Sequence, residues 1–229
     1  MTTTNHDVWI IIPVYNEAGV IRDVVNEVMK TFPNVVCIDD GSRDDSSGQV
    51  LQTDAHLLRH PINMGQGAGL QTGLRYALAR KGAEYFVTFD ADGQHRVEDA
   101  LAMVEAVRAG QADVALGSRF LDAKAEVPLI RRIVLGAVAR LSPTSRKLRL
   151  TDAHNGLRVF NRKAASTLKI TNNGMAHASE LIAKLAHSSL RVKEMPVTIL
   201  YTDYSRAKGQ SLLNGVNILF DLSMTKRDA

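Results

Sequence analysis

The chain has 229 residues, of which 45% are hydrophobic and 23% charged, and its formal net charge is +4. This length fits one large domain or two small ones, and the composition excludes a disordered chain. The positive balance favours an anionic partner such as phosphate groups, nucleic acid or an anionic membrane. Aromatic residues make up only 5% of the chain, too few for the stacking surfaces that single-stranded nucleic acid requires, so we expect no nucleic-acid partner.

Cysteine content and the N-terminus indicate a cytoplasmic protein. The single cysteine, Cys37, excludes an intramolecular disulfide, which suits a reducing compartment. The N-terminus is polar and lacks the apolar core of a signal peptide. We also find no stretch with the roughly 18 apolar residues that are needed to span a bilayer.

Strand and helix patterns alternate along the first half of the chain. The predicted strands are Val8–Val14, Asn34–Asp39, His56–Arg59, a strand that ends at Asp90, and 113–117. The predicted helices are 16–31, 44–52, a helix that follows the glycine-rich bend 63–69 and ends near Lys81, 97–109 and, later in the chain, 176–186. This alternation predicts an α/β fold with a mainly parallel sheet flanked by helices. Ligands of such sheets bind at the carboxyl ends of the strands.

The most informative stretch follows the apolar run 85–88, where Asp90 and Asp92 stand two residues apart. In an extended chain, alternate side chains point to the same side. A magnesium or manganese ion is held in proteins by one or two carboxylates together with substrate phosphates. The pair therefore predicts a metal-assisted phosphate site, although two nearby aspartates also occur by chance.

Other polar clusters follow the earlier strands. Tyr15 offers a flat face for a nucleobase and Glu17 an acceptor for a ribose hydroxyl, while the alternative is a turn in which Asn16 caps the next helix. Asp40 can accept hydrogen bonds from a base edge or a ribose, or it can form an Asx turn. The glycine-rich stretch 63–69 can bring backbone amides to a phosphate, but it matches neither the Walker pattern nor a dinucleotide fingerprint.

Taken in order, these motifs resemble family 2 glycosyltransferases with the GT-A fold. Within that family, the likeness is greatest to dolichyl-phosphate mannose synthases and bacterial polyprenyl-phosphate sugar transferases. The resemblance covers about residues 8 to 211. The matching stretches are 12–17, 38–42, 63–68, 90–95, 117–119, 152–158 and 206–211.

The resemblance implies a Rossmann-like GT-A domain that binds a nucleotide diphosphate sugar, GDP-mannose or a UDP-hexose. The residues expected to hold the nucleoside are Pro13, Tyr15, Glu17, Ile38 and Asp40. The residues expected to hold Mg²⁺ or Mn²⁺ and the diphosphate are Asp90, Asp92 and Gln94. The expected donor-binding set also includes Gln66, Ala91 and Lys208. Arg119 and Arg206 are expected to bind phosphate charge on the donor or the acceptor.

We expect one domain over residues 1–229, in which about 1–120 bind the donor and about 121–229 bind the acceptor. Two departures from the family pattern concern the acceptor half. Leu212 stands where a lysine usually follows the last motif, and Asn155 stands where a serine, threonine or cysteine is common.

The segment 127–151 bears on the acceptor class, because it contains six basic residues and no acidic one. Its apolar residues recur at helical spacing, which predicts a basic amphipathic helical insertion that Pro143 divides. Such a helix is typical of proteins that bind a membrane surface. The alternative is a helix packed on the sheet with a solvated basic edge. A second apolar stretch, 212–220, is expected to be interfacial, part of the core or part of a homodimer contact.

The resemblance implies a single displacement with inversion at the sugar carbon. A lipid monophosphate acceptor has a second pKa of about 6 and needs little help from a base. A hydroxyl acceptor needs one, and Asp152 is the candidate, although Asp152 can equally cap the next element.

Three hypotheses remain open. The preferred one is transfer of the sugar to a polyprenyl phosphate by a peripheral enzyme at the inner face of the membrane. The second is transfer to a hydroxyl of a saccharide or another acceptor. The third is a non-catalytic protein that binds a nucleotide sugar on the same fold.

Overall fold

The structure is a computed structural model that describes residues 5–121, 147–148 and 150–200. Its strands are β1 Val8–Val14, β2 Asn34–Asp39, β3 His56–Arg59, β4 Tyr85–Thr88, β5 Val114–Ser118, β6 Arg158–Asn161 and β7 Val192–Pro196. Its helices are α1 Ile21–Met29, α2 Ser46–Val50, α3 Gln66–Leu78, α4 Val97–Arg108, α5 Arg162–Thr167 and α6 His177–Ala186.

The strands form one seven-stranded sheet in the order β3-β2-β1-β4-β6-β5-β7. Every neighbouring pair is parallel except those of β6, which runs antiparallel to both β4 and β5. The predicted α/β fold with a mainly parallel sheet is therefore confirmed. Because β6 is reversed, its first residue lies at the edge where its neighbours β4 and β5 end.

Both faces of the sheet are buried, which explains the long apolar runs of its central strands. In β1, Ile10 and Ile12 belong to one core cluster, whereas Ile11 belongs to the cluster on the opposite face. Helices α1, α2 and α4 contribute to the first cluster, and α3, α5 and α6 to the second. Three layers therefore hold the loops at the carboxyl edge on a rigid base.

Helix α3 lies unusually close to β1 and β2 because glycines face the sheet. A Cβ atom on Gly73 would lie 2.4 Å from Ile11 Cγ2 and 2.5 Å from Ile38 Cδ1. A Cβ atom on Gly69 would lie 3.3 Å from Pro13 Cβ. The close approach covers the Ile38 side chain completely.

Helix α1 begins at Ile21 rather than at residue 16 as predicted. Asn16 has a φ of 55°, which is incompatible with the first turn of a right-handed helix. The Asn16 backbone amide lies outside the helix and donates to Ser42 Oγ at 2.9 Å. The Glu17 backbone amide donates to Ser46 Oγ at 2.8 Å. The segment after β1 is thus tied to the segment after β2.

Part of the predicted acceptor half lies outside the described residues. This applies to most of the basic amphipathic insertion and to the apolar stretch 212–220. Within the described ranges, no helix is long and apolar enough to cross a membrane. Both predicted halves contribute strands to the same sheet, and the division into donor and acceptor halves stays a prediction.

Glu180 on α6 holds the segment before this helix. Its carboxylate accepts hydrogen bonds from the amides of Thr171 and Asn172 and forms an ion pair with Lys184. Burial acts to raise the pKa of Glu180, but these hydrogen bonds and the Lys184 ammonium together lower it to about 2.

We expect Glu180→Gln to reduce the free energy of unfolding at neutral pH by about 1–2 kcal/mol, after allowance for solvent screening. Because the pKa is lower in the folded state, the stabilisation is complete above the ordinary glutamate value of 4.5 and is lost as the pH falls through about 2. Urea unfolding at pH 7 and pH 3 should show a smaller difference between the two proteins at pH 3.

Glu27→Gln provides the matched control, because Glu27 pairs with Lys30 on an exposed helix surface. That change should alter the free energy of unfolding by less than about 0.5 kcal/mol. An effect of Glu180→Gln that is equal at both pH values would contradict the ionic origin of the stabilisation.

Candidate active site

The predicted polar clusters meet at the carboxyl edge of the sheet. The parallel strands β1, β2, β4 and β5 all end there, and the loops that follow them carry the candidate residues. The start of β6 joins them because this strand runs in the opposite direction. The edge therefore brings together residues from 13 to 158.

Tyr15 and Glu17 occupy the loop after β1. Tyr15 is 40% exposed, so part of its ring is open to a ligand. Glu17 lies close enough to Asp92 for its negative charge to raise the pKa of that aspartate. These positions are compatible with the predicted nucleoside contacts, which stay predictions.

Ile38 and Ala91 lie with their side chains in the core, and their predicted contacts with the nucleotide stay predictions. Their side chains are buried in the two core clusters on either face of the sheet. Pro13 is half-buried and packs against Gly69. Ile38 and Ala91 therefore present no side-chain surface to a nucleotide, and any contact that they make must come from the main chain.

Asp40 binds the glycine-rich loop. Its Oδ1 atom accepts from the Met64 amide at 2.9 Å, and its Oδ2 atom accepts from the Gly65 amide at 2.7 Å. His60 Nδ1 lies 2.7 Å from Oδ1, and His60 Nε2 lies 3.0 Å from Thr72 Oγ1. The neighbouring Asp39, rather than Asp40, accepts from the Ser42 amide in the turn.

The glycine-rich loop is used for packing between segments. The amides of Gly67 and Ala68 donate to Asn173 O at 2.8 and 3.3 Å. A Cβ atom on Gly67 would lie 2.0 Å from Asn172 O, so only glycine allows this approach. Two amides at the start of α3, in the stretch that can bring backbone amides to a phosphate, are thus engaged by a protein carbonyl.

Groups from three segments surround part of the Asp90 side chain, which is 32% exposed. Its Oδ2 atom lies 2.8 Å from His95 Nε2, and its Oδ1 atom lies 3.4 Å from Gln66 Nε2. A Cβ atom on Gly156 would lie 2.2 Å from Oδ2. Burial acts to raise the pKa of Asp90, but the positive charges of His95 and then Arg158 bring it below its ordinary value.

Asp92 has the opposite electrostatic environment. Burial raises its pKa, and the negative charges of Asp90 and Glu17 raise it further. The Gln94 amide, which donates to Asp92 Oδ1 at 3.0 Å, only partly offsets these effects. Ionised Asp92 is therefore stabilised by any cation that binds beside it.

The residues present fit a divalent cation. Carboxylate and amide oxygens of Asp90, Asp92 and Gln94 are the donors that Mg²⁺ prefers, and a cation would offset the charge repulsion that raises the pKa of Asp92. Within the described ranges, no three His, Cys, Asp or Glu side chains form a complete metal cluster. A bound anionic ligand would have to supply further oxygens.

Arg119 and Asp152 form a bidentate ion pair at the end of β5. Arg119 Nε lies 2.6 Å from Oδ2 of Asp152, and Nη2 lies 2.8 Å from Oδ1. Burial acts to raise the pKa of Asp152, but the hydrogen bonds and charge of Arg119 bring it below its ordinary value. A carboxylate bound in this way is a weak base, so the geometry favours Asp152 as the residue that orients Arg119.

Glu194 on β7 fixes the loop that carries Asp152. Its carboxylate accepts from the amides of Thr151 and Asp152, at distances of 2.8 to 2.9 Å. Sequence reasoning did not identify this glutamate, because β7 is an alternating and partly exposed strand far along the chain. Its position beside β5 becomes evident only from the sheet order.

Two further buried polar residues were also missed. Arg158 is 2% exposed and His177 is 3% exposed. Arg158 is the last residue of stretch 152–158, which resembles the family pattern, and this resemblance was the sequence signal that could have identified it. His177 Nδ1 lies 2.9 Å from Gly174 O, and its pKa is lowered by burial and by the charge of Arg158.

Arg206 and Lys208 lie outside the described residues, so their roles stay predictions. The chain that leads to them is anchored at the site. The Leu200 amide donates to Gln94 O at 2.9 Å, and Ile199 forms an isolated bridge with His95. Residue 200 therefore lies beside the acidic loop 90–94.

The sequence pattern of glycosyl transferase family 2 matches residues 9–168. This chain is a family 2 glycosyltransferase. The transferase is 27% identical to UDP-N-acetylglucosamine–dolichyl-phosphate N-acetylglucosaminyltransferase of Methanococcus voltae, with 96% of each chain covered. It is 30% identical to polyprenol monophosphomannose synthase of Mycolicibacterium smegmatis, with 91% of this chain and 82% of the relative covered.

A solved structure confirms the predicted GT-A fold of the transferase. Glucosyl-3-phosphoglycerate synthase from Mycobacterium tuberculosis, in complex with Mn²⁺, UDP-glucose and phosphoglyceric acid, superposes with a TM-score of 0.66. The match covers 90% of this chain and 78% of that one at 14% identity. This level of identity supports the fold and carries no conclusion about the substrate.

We expect Gly156→Ala in the transferase to displace Asp90, because the new Cβ atom would lie 2.2 Å from its Oδ2 atom. The stability of the protein should fall by about 1–3 kcal/mol. Thermal unfolding with GDP or UDP and increasing Mn²⁺ should show that about tenfold more metal is needed for the same stabilisation, a loss of about 1.4 kcal/mol in binding.

Gly174→Ala is the matched control, since its nearest contact would be Asn172 Oδ1 at 3.7 Å. This variant should respond to Mn²⁺ as the wild type does. A normal Mn²⁺ response in Gly156→Ala would show that the position of Asp90 does not determine metal binding.

Proposed function

We propose that this transferase moves a hexose from a nucleotide diphosphate sugar to a polyprenyl phosphate, with Mg²⁺ or Mn²⁺ as cofactor. The observation that carries the proposal is the placement of the acidic loop 90–94 and the Arg119–Asp152 pair at the same edge of the sheet. Relatives named for transfer to dolichyl phosphate and for polyprenol monophosphomannose synthesis support this acceptor class.

The donor is assigned to the loops after β1, β2 and β4. Tyr15 offers its exposed ring to the base, and Glu17 accepts from the ribose. Asp90, Asp92 and Gln94 hold the metal ion, which neutralises charge on the departing nucleoside diphosphate when it is bound. The structure of the Mycobacterium tuberculosis neighbour with Mn²⁺ and UDP-glucose supports a divalent ion with this fold.

The acceptor phosphate is assigned to Arg119. Its side chain is 22% exposed, and Asp152 fixes the plane of the guanidinium group. Arginine binds phosphate through charge-assisted and often bidentate hydrogen bonds. Arg206 is expected to add a second positive charge.

The state of Asp152 supports a phosphate acceptor over a hydroxyl acceptor. Both of its oxygens are bound by Arg119, and its pKa is below the ordinary value. General bases work best with a pKa near the working pH. A phosphate monoester is largely a dianion at neutral pH because its second pKa is about 6, so it attacks without a base.

Membrane association is proposed for the basic segment 127–151, which brings the active site to the lipid carrier. The six basic residues of this segment and its lack of acidic residues support attraction to an anionic lipid surface. We place the enzyme at the cytoplasmic face of the membrane, where nucleotide sugars are available. A homodimer formed through 212–220 stays a prediction.

Incubation with radiolabelled GDP-mannose or a UDP-hexose, Mn²⁺ and a polyprenyl phosphate tests the proposal. We expect label in an organic-extractable product that mild acid releases as free sugar, because the sugar–phosphate bond is acid-labile. Label confined to water-soluble products would favour a hydroxyl acceptor. Tight donor binding without turnover of any donor and acceptor pair would favour a non-catalytic binding protein.

We expect Asp92→Asn to raise the melting temperature of the metal-free protein, since it removes the repulsion from Asp90 and Glu17 that raises the pKa of Asp92. The same change should abolish most stabilisation by Mn²⁺ with nucleotide. It should also lower kcat by about 100-fold or more, the scale reported for loss of one charge-stabilising group.

Asp54→Asn, at an exposed position between α2 and β3, is the control and should leave all three properties unchanged. Wild-type turnover in Asp92→Asn would remove this residue from the proposed metal site.

A further inference from the structure

The segment 151–152, which carries Asp152, belongs to no helix or strand. Its backbone amides therefore need hydrogen-bond partners from elsewhere in the protein. Glu194 on β7 provides them, because its carboxylate accepts from the Thr151 amide at 2.8 and 2.9 Å and from the Asp152 amide at 2.9 Å. Asp152 is buried, so water is a poor substitute for this carboxylate. The position of the segment thus depends on Glu194.

Two hydroxyl groups extend this contact to the end of β5. Thr151 Oγ1 donates to Glu194 Oε2 at 2.9 Å and lies 2.6 Å from Ser118 Oγ. Because a threonine hydroxyl carries a single hydrogen, Ser118 is the donor in the second contact. The Phe120 amide in turn donates to Ser118 Oγ at 3.2 Å. Ser118 is fully buried, so Glu194 rather than solvent sets the direction of these hydrogen bonds.

Arg119 lies between Ser118 and Phe120, the two residues joined by the last of these bonds. Its backbone amide donates to Asp152 Oδ2 at 3.2 Å, and its guanidinium group holds the same carboxylate in a bidentate contact. Both the backbone and the side chain of Arg119 are therefore oriented by the segment that Glu194 holds. A shift of this segment would move both contacts of Arg119.

The sheet fixes Glu194 relative to the end of β5. Strand β7 runs parallel to β5, with Glu194 paired to Leu116. Beyond the strand, the Val197 amide donates to Ser118 O at 3.1 Å. Groups that are held by strands are positioned more precisely than groups on loops. The carboxylate of Glu194 is thus a rigid reference point for the segment 151–152.

We infer that Glu194 is a positioning residue, which acts through Thr151 and Asp152 to hold Arg119 in place for the acceptor phosphate. The inference rests on the proposed function and deepens it. The residues assigned to the donor and the metal lie on the loops after β1, β2 and β4, away from these hydrogen bonds. Loss of Glu194 should therefore weaken acceptor binding and leave donor binding unchanged.

The test measures binding of farnesyl phosphate, a soluble short-chain polyprenyl phosphate, by isothermal titration calorimetry. Glu194→Gln places an NH₂ group against a backbone amide, so the segment 151–152 loses one acceptor. This variant should bind farnesyl phosphate about tenfold more weakly than the wild type does. Its affinity for UDP or GDP with Mn²⁺ should stay within about twofold of the wild-type value. Unchanged binding of farnesyl phosphate, or equal weakening for both ligands, would overturn the inference.

Kinetics and a second ligand separate positioning from a general loss of structure. In transfer to polyprenyl phosphate, Glu194→Gln should raise the acceptor KM about tenfold while the donor KM stays unchanged. Farnesol has the same chain without the phosphate, and it should bind to the wild type and to Glu194→Gln equally. Equal weakening for farnesol and farnesyl phosphate would contradict a role in phosphate recognition.

Thr151→Val provides a milder change, because it replaces the hydroxyl group by a methyl group and keeps the backbone amides on Glu194. It breaks the link to Ser118, so farnesyl phosphate should bind about fivefold more weakly. Thr151→Ser keeps the hydroxyl group and should bind this ligand within about twofold of the wild type. If Glu194→Gln fails to fold, this pair still decides the matter, because equal affinities of Thr151→Val and Thr151→Ser would overturn the inference.

Glu180→Gln is the matched control. Like Glu194, Glu180 accepts from two consecutive backbone amides and from a threonine hydroxyl, but these belong to Thr171 and Asn172. Its loss should reduce stability without changing the affinity for farnesyl phosphate. If Glu180→Gln weakened this ligand as much as Glu194→Gln, the effect would be one of general stability and the inference would be wrong.

The wild type distinguishes failure of the inference from failure of the proposed function. A wild type that binds neither farnesyl phosphate nor polyprenyl phosphate and transfers sugar only to a hydroxyl would refute the proposed acceptor, and the inference with it. Normal binding and transfer by the wild type, together with wild-type acceptor affinity in Glu194→Gln, would refute the role of Glu194 alone.

Discussion

The fixed position of the Asp90 carboxylate is the constraint on which the rest of the site depends. Its oxygens are contacted by His95 and Gln66, and the backbone of Gly156 leaves no space for a side chain on that side. Asp90 is therefore fixed and ionised. The negative charge of Asp90 raises the pKa of Asp92, so a cation beside Asp92 would stabilise its ionised form. One aspartate sets the geometry, and the other provides the electrostatic attraction for a metal.

The reversed strand β6 makes this arrangement possible. In a fully parallel sheet, only the carboxyl ends of strands reach the ligand edge, and arginines in the strands would point into the core. The antiparallel direction of β6 brings its first residue to that edge, between β4 and β5. The sheet can then supply a buried positive charge between the loop that carries Asp90 and the segment that carries the buried Asp152.

Sequence patterns predicted the elements that have strong apolar periodicity, and the structure shows them within a few residues. Strands β1, β2 and β3 have the predicted bounds, because buried apolar runs end at polar turns. The pattern could not reveal β6, which has four residues and begins with arginine. Nor could it show that Ile38 is covered by α3 or that Asp40 binds Met64 and Gly65, because these contacts depend on packing between distant segments. The family resemblance supplied candidate residues, whereas their partners required coordinates.

The contact between α3 and the segment 172–174 uses backbone atoms on both sides. The amides of Gly67 and Ala68 meet the carbonyl of Asn173, whose side chain is exposed to solvent. This backbone contact requires glycine in the helix but depends little on which side chains the opposing loop carries. Substitutions of the exposed Asn173 side chain can therefore accumulate without separating the two segments, because the contact depends on its carbonyl alone.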